Sequence, residues 1–142
     1  MRQLAEAHNV RFGTSGVRGL VADLSDAVCY AYTQAFLKTV VGDNSRIVVG
    51  HDLRPSSPRI AAACIGAIRD AGHEAVFVGA LPTPALAYYC ALHGSPGIVV
   101  TGSHIPFDRN GIKFYRADGE IDKADEQAIL DADVAVPDAL TP

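Results

Sequence analysis

No basic run interleaved with aromatics appears anywhere in this 142-residue sequence, and 12 Lys and Arg face 16 Asp and Glu, for a formal net charge of -4. A nucleic-acid backbone would find no electrostatic footprint here, which excludes that class of partner. Long hydrophobic runs are also missing. Charged residues, Gly or Pro interrupt each one before the roughly 18 residues needed to cross a bilayer, and Met1 to Val10 lacks the continuous apolar centre of an export signal. A membrane is therefore not expected as a partner, and a cytoplasmic location is. Cys29, Cys64 and Cys90 are odd in number, widely spaced and each within a predicted helix. They make neither a disulfide framework nor a metal knuckle, and reduced, buried thiols are expected. The histidines His8, His51, His73, His93 and His104 contain no pair at helical ligand spacing, so no zinc site is visible.

What is present is a composition of 49% hydrophobic and 20% charged residues, which suits one folded domain over 1–142. Three short runs rich in β-branched residues, Arg46–Gly50, Glu74–Gly79 and Gly97–Thr101, read as strands buried on both faces. Between them, Ser57-Pro58 opens a helix with Ile60, Ala61, Cys64, Ile65 and Ile68 on one face and Gly72 as its stop. Thr83-Pro84 opens another that closes at Gly94. Upstream, Ser25 caps a helix that ends near Gly42, and Val17 to Ala22 forms a first strand. Downstream, Ile112 to Arg116 is a further strand that can pair antiparallel, followed by a helix from Asp122 to about Leu130 and a fraying Ala/Pro-rich tail from Ala132. Strands alternating with helices imply an α/β class: a three-layer α/β/α sandwich around a mixed, mostly parallel sheet of about four strands.

Ligands of open α/β sheets bind at the carboxyl ends of the strands, where loops and helix N-termini converge. Of the loops there, Thr101–Gly111 is the richest, with hydroxyls, an imidazole, a carboxylate, a guanidinium and an amide, and with Lys113 just beyond. Ser103 leaves a buried strand through Gly102 and is held by His104 and the rigid Pro106. An exposed hydroxyl on a stiff loop suits a covalent carrier. A phosphoryl group on it would need a divalent cation or several Arg and Lys donors, part of which Arg18, Arg109 and Lys113 could supply. Spacing alone leaves a second reading open, a Gly-Ser turn with a capping hydroxyl. A hydrolase nucleophile elbow is not supported, because Thr101 and Ile105 stand where it needs glycines. Phe12–Gly19 is glycine-rich with hydroxyls and one Arg, plausible as an anion loop, but it matches no phosphate-loop consensus and no strand is expected before it. Asp52 and Arg54 could orient each other or an arriving anion. Asp131 and Asp133 read as a solvated surface pair.

Taken together, four blocks resemble the α-D-phosphohexomutases, the phosphoglucomutase and phosphomannomutase family. They are Phe12-Gly-Thr-Ser-Gly-Val-Arg-Gly19, Gly50-His-Asp-Leu-Arg54, Leu81-Pro-Thr-Pro84, and Thr101-Gly-Ser-His-Ile-Pro106 continuing through Asn110-Gly-Ile-Lys-Phe114. The last resembles the family's phosphoserine signature T-A-S-H-N-P, with Gly102 in place of Ala, which should loosen the loop slightly, and Ile105 in place of Asn. The resemblance implies that Ser103 carries the phosphoryl group and is one ligand of a catalytic Mg²⁺, and that Arg18 stabilises the transferring group. It implies that His104 and Lys113 flank the phosphoryl group as charge stabilisers or proton-transfer groups. Thr14, Ser15, Arg18 and Lys113 would meet the substrate. The implied reaction interconverts hexose 6-phosphate and hexose 1-phosphate through a bisphosphate, with a hexose bisphosphate as activator; Ser15 favours mannose or glucose phosphates over glucosamine phosphate.

The resemblance covers almost the whole chain but only the first of the family's four domains. The acidic metal loop and the sugar-binding and phosphate-binding loops have no counterpart in it. The expectation is a phosphoserine-bearing first domain, inactive alone, whose partners are a hexose phosphate, the remaining domains and, through apolar surface near the C-terminal helix, a second copy. The alternative is a stand-alone phosphosugar-binding or regulatory module without turnover.

Overall fold

The computed structural model describes residues 1–13, 16–43, 46–102 and 105–138. A helix, α1 (Arg2–Ala7), leads into two strands, β1 (Arg11–Phe12) and β2 (Gly16–Leu20). Ser25 then accepts a hydrogen bond at 3.2 Å from the Val28 N–H, and this N-cap starts α2 (Asp26–Phe36), which a π-helical turn, Leu37–Val41, extends. The alternating unit follows: β3 (Arg46–His51), α3 (Ser57–Asp70), β4 (Glu74–Ala80), α4 (Thr83–His93) and β5 (Gly97–Val100). Gly94 ends α4 at φ 61°, a left-handed conformation that a side chain would strain. The chain closes with β6 (Arg109–Arg116), β7 (Gly119–Glu120) and α5 (Lys123–Asp131). Asp122 and Asp125 each accept a bond from the other's backbone N–H, a reciprocal capping box that fixes the start of α5.

The strands form one sheet in the order β1-β2-β6-β5-β3-β4, with β7 beside β6. Helices lie on both sides of it, so the α/β class and the three layers stand. The expected strand count needs correcting: among the described residues seven strands pair, β3–β4 and β3–β5 in parallel and the other pairs antiparallel, in a mixed sheet. The helical crossovers α3 and α4 leave β3, β4 and β5 parallel; β6 returns through a loop and so runs against β5, and β2, antiparallel to β6 on its far side, points the same way as β3. The sequence signal also missed α1 and β1, which are too short for periodicity to show. Contrary to expectation, a strand, β1, does precede Gly13.

One face of the sheet carries the main core. Val17, Ile47, Val49, Ile98, Val100, Ile112 and Phe114 meet Tyr32, Phe36, Ile60, Cys64 and Ile68 of α2 and α3, all 1% exposed or less. The Phe36 and Phe114 rings lie 4.8 Å apart. The opposite face is covered by α4 alone, whose Leu86 and Cys90 pack on Val48, Val99 and Tyr115. That approach is close because Gly50 and Gly97 have no side chains: a Cβ on Gly97 would fall 2.4 Å from Cys90 Sγ, and one on Gly50 would fall 2.9 Å from Leu86 Cδ1. At the sheet's edge β4 is only half-buried, with Phe77 53% exposed, rather than covered on both faces as its composition suggests.

All three cysteines are free and buried. Burial pushes the thiols of Cys64 and Cys90 up to about 11 and that of Cys29 well above its ordinary value, so they stay neutral. The stretch expected to fray is tied down where it begins: the Met1 ammonium donates to Ala132 O at 3.0 Å, and Lys38 Nζ to Asp133 O at 2.9 Å. Asp131 pairs with Arg2 at 2.8 Å on the surface. Among the described residues the exposed large apolar side chains are Leu20, Leu53, Phe77, Tyr88, Leu92 and Phe107. No helix of the described residues is long and apolar enough to cross a membrane.

Candidate functional site

Antiparallel register decides which side chains share a face, because residues directly paired point the same way and the side-chain period is two. Between β2 and β6, Gly16 pairs with Lys113, Arg18 with Gly111, and Leu20 with Arg109. Arg18, Arg109 and Lys113 therefore share the sheet face opposite the main core, while Val17 and Ile112 fill the core on the other side. This is the face that α4 covers only over β3 and β5.

Glycines make room for the cations. A Cβ on Gly111 would approach Arg18 Cγ to 3.3 Å, and one on Gly13 would approach Arg18 Cδ to 3.4 Å, so the Arg18 side chain runs between two bare stretches of backbone. Gly16 lies equally close to Lys113, whose Cγ would be 3.0 Å from its Cβ. Arg18, Lys113, Gly16, Gly111 and Thr101 line a small surface cleft between β2, β6 and the end of β5. Lys113 Nζ is 3.3 Å from Glu120 Oε1, so β7 supplies it with a counter-charge.

Beside the cleft, the loop from Thr101 to Asp108 is held from the second alternating unit. Asp52, just past β3, accepts from the Gly102 N–H at 2.9 Å with Oδ2, and from the Arg54 N–H at 3.0 Å and the Ser57 hydroxyl with Oδ1. Burial pushes the Asp52 carboxyl up, but the bonds from Ser57, Gly102, Arg54 and the Thr101 hydroxyl outweigh it, and the group lies below the ordinary carboxylate value. Asn110, wholly buried, donates from Nδ2 to the hydroxyls of Ser56 and Ser57 at 2.8 and 2.9 Å and accepts from the Gly111 N–H at 2.8 Å. The Arg54 guanidinium donates to the carbonyls of Ile105 at 2.6 Å and of Pro106 and Arg109 at 2.8 Å.

The structure thus brings Arg18 and Lys113 together as the sequence suggested. Ser103, His104, Thr14 and Ser15 lie outside the described residues. Ser57, expected to cap α3, is instead its first residue and makes no cap bond; its hydroxyl serves Asp52. Asp52 and Arg54 do neighbour each other, at 3.6 Å, but Arg54 is committed to loop carbonyls. Sequence reading missed the Ser56–Ser57–Asn110 network, because consecutive serines before a proline look like a helix cap and the buried role of Asn110 needs the β6 register to be seen. Arg109 and Asn110, expected in the loop, already belong to β6.

Residues 9–133 match the family model for phosphoglucomutase/phosphomannomutase, alpha/beta/alpha domain I. The chain is similar to a phosphomannomutase of Salmonella muenchen, 49% identical over 129 residues, covering 89% of this chain and 27% of that protein. It is 51% identical over 124 residues to a phosphomannomutase of Sinorhizobium fredii, covering 84% and 26%, and 36% identical over 137 residues to a phosphoglucosamine mutase of Pelotomaculum thermopropionicum, covering 90% and 31%. A crystal structure of a phosphoglucomutase/phosphomannomutase family protein from Burkholderia thailandensis superposes with a TM-score of 0.72 at 31% identity, over 82% of this chain and 28% of that one. The chain spans between a quarter and a third of the length of these relatives.

Proposed function

Since the chain belongs to the phosphoglucomutase/phosphomannomutase family and spans its α/β/α domain I, we propose that it is the phosphoserine-bearing part of a mutase that interconverts hexose 6-phosphate and hexose 1-phosphate. Ser103 carries the phosphoryl group. In the forward step a sugar hydroxyl oxygen bonds to phosphorus as the bond from phosphorus to Ser103 Oγ breaks. The hydroxyl proton leaves to a neighbouring base, for which His104 is the candidate, while Lys113 acts as a charge stabiliser. The resulting hexose bisphosphate returns its other phosphate to Ser103 by the reverse chemistry. Transfer of this kind asks a protein mainly for positioning and charge neutralisation.

The observation that carries the reading is the shared face of Arg18, Arg109 and Lys113 beside the loop that holds Ser103. Three cations over two adjacent strands neutralise a phosphoryl group of roughly two negative charges. Arg18, whose guanidinium can fork to two oxygens, is assigned to the transferring group. Mg²⁺, the metal the family implies, supplies further neutralisation when bound. Among the described residues there is no group of three or more His, Cys, Asp or Glu that could bind it, and Ser103 is the one ligand that the resemblance assigns to this chain. For that reason the chain by itself is proposed not to turn over.

Mannose phosphate is the favoured substrate over glucosamine phosphate, on the strength of Ser15 and of the higher identity to phosphomannomutases than to the phosphoglucosamine mutase. The test is the mass of the peptide containing Ser103 after incubation with glucose 1,6-bisphosphate and Mg²⁺, beside Ser103→Ala. Phosphate on Ser103, from this chain alone or once the other family domains are added, supports the proposal. A peptide that stays unmodified in both conditions overturns it.

A further inference from the structure

The loop beside the cleft closes around a cation that belongs to another part of the chain. Arg54 extends from the segment after β3, and its side chain is 15% exposed. Its terminal nitrogens donate to three carbonyls, those of Ile105, Pro106 and Arg109, and its Nε lies 3.6 Å from Asp52 Oδ2. The same Asp52 oxygen accepts the Gly102 N–H. Both flanks of the pair at 103 and 104 are therefore fastened to one Asp–Arg unit, Gly102 through the carboxylate and 105–109 through the guanidinium. This is possible only without a side chain at 102. A Cβ there would fall 2.0 Å from both Cζ and Nε of Arg54, inside the volume the guanidinium occupies.

We propose that Arg54 is the positioning residue of the Ser103 loop, and that the bare backbone at Gly102 is what admits it. Its meaning for phosphoryl transfer rests on the reading of Ser103 given above; the clamp itself rests on the contacts alone. A guanidinium is suited to the task because its planar fork serves several carbonyls at once, which an ammonium on a flexible stem does not. In-line transfer depends on the placement of the reacting oxygen, so fastening the loop at Gly102 and at 105–109 bears directly on transfer. Gly102 thus tightens the loop through Arg54, against the looser backbone expected from its composition.

The test uses the whole chain as Arg54→Ala, Arg54→Lys, Gly102→Ala and the double variant Arg54→Ala with Gly102→Ala. Amide hydrogen exchange is read over the peptide covering 101–111, with peptides from β3 and α3 reporting that the fold is intact. Gly102→Ala is expected to fold, because what has to move is the far end of a flexible side chain. Loop exchange is expected to rise by at least about tenfold in Arg54→Ala and in Gly102→Ala, the scale of losing local protection. The double variant should match either single one, since both changes remove the same contact. Arg54→Lys should restore little. Free guanidinium ion, at a concentration too low to unfold the protein, should slow loop exchange in Arg54→Ala but not in the double variant. Loop exchange unchanged in Gly102→Ala, or multiplied in the double variant, overturns the proposal. Labelling of Ser103 by glucose 1,6-bisphosphate, with the other family domains added, separates the two claims. A broken clamp with Ser103 unlabelled in every form removes the phosphoserine reading and keeps the clamp, whereas wild-type labelling rates in Arg54→Ala remove the positioning role.

Discussion

The two faces of the sheet are built on opposite principles. One buries aromatic and branched side chains of β2, β3, β5 and β6 against α2 and α3. The other relies on glycines: α4 sits close over Gly50 and Gly97, and beyond α4 the strands β2 and β6 present Arg18, Arg109 and Lys113. The difference teaches where stability and chemistry can be varied independently. A face covered by a single helix leaves half its width free for charged groups, and those groups can be placed by register because the other face fixes the strands.

The largest expected effect comes from the thick side. Phe36→Ala, removing a ring packed against Phe114 in the core, should destabilise the protein by about 4 kcal/mol, and Leu86→Ala on the buried face of α4 by about 2–3 kcal/mol. Urea unfolding checks both. Equal losses would erase the distinction between the faces, and exchange confined to α4 in Leu86→Ala would sharpen it. Next comes Gly97→Ala, expected to cost about 1–3 kcal/mol because the new methyl meets Cys90 Sγ. Adding Cys90→Ala should return most of that loss in the same measurement, whereas a backbone cause would leave it in place.

A smaller effect is tied to pH. The folded chain binds the Asp52 and Asp125 protons more weakly than the unfolded chain: for Asp125 through Arg116, which meets its carboxylate with both Nε and Nη2, and for Asp52 through the loop bonds. The stability they contribute is complete above the unfolded carboxylate value and is lost as pH falls through the lower folded value, so the window lies below about pH 4. Thermal unfolding followed downward from neutral pH should show a shallower decline in Asp52→Asn than in the parent; an identical decline would mean that Asp52 is not linked to folding. The smallest stability effect belongs to the open half of the thin face. Arg18→Ala should change stability by no more than about 0.5 kcal/mol yet reduce labelling of Ser103 at least about a hundredfold. A comparable loss of stability would show that Arg18 is a packing residue.

Much of the fold was legible in the sequence, because β-branched runs and Ser, Pro and Gly at element ends act locally. Ser25 caps α2 and Gly94 closes α4 where they were expected. What local signals could not carry was pairing. Nothing near Val17 or Ile112 says that these residues lie opposite each other, so the antiparallel return of β6 was legible but its pairing with β2 was not. The site was legible as a list of groups, Arg18 and Lys113 among them, but its supports were not. Ser57 and Asn110 have ordinary turn and cap chemistry in sequence and become a buried network only once α3 and β6 meet. The exposure of β4 and Phe77 is likewise set by strand order, which composition does not encode.

The β2–β6 ladder also has an entropic side. Gly16 pairs with Lys113, a closure of about a hundred residues, whereas β3, α3, β4, α4 and β5 follow one another directly. Entropy opposes the long closure until enough of the intervening chain is ordered to bring its ends together. The alternating unit, with β6 laid on β5 through a short loop, closes over little sequence, whereas β2 reaches β6 across most of the chain. The contact that brings the like charges of Arg18 and Lys113 together is therefore the one in this cleft that carries the largest loop-closure cost.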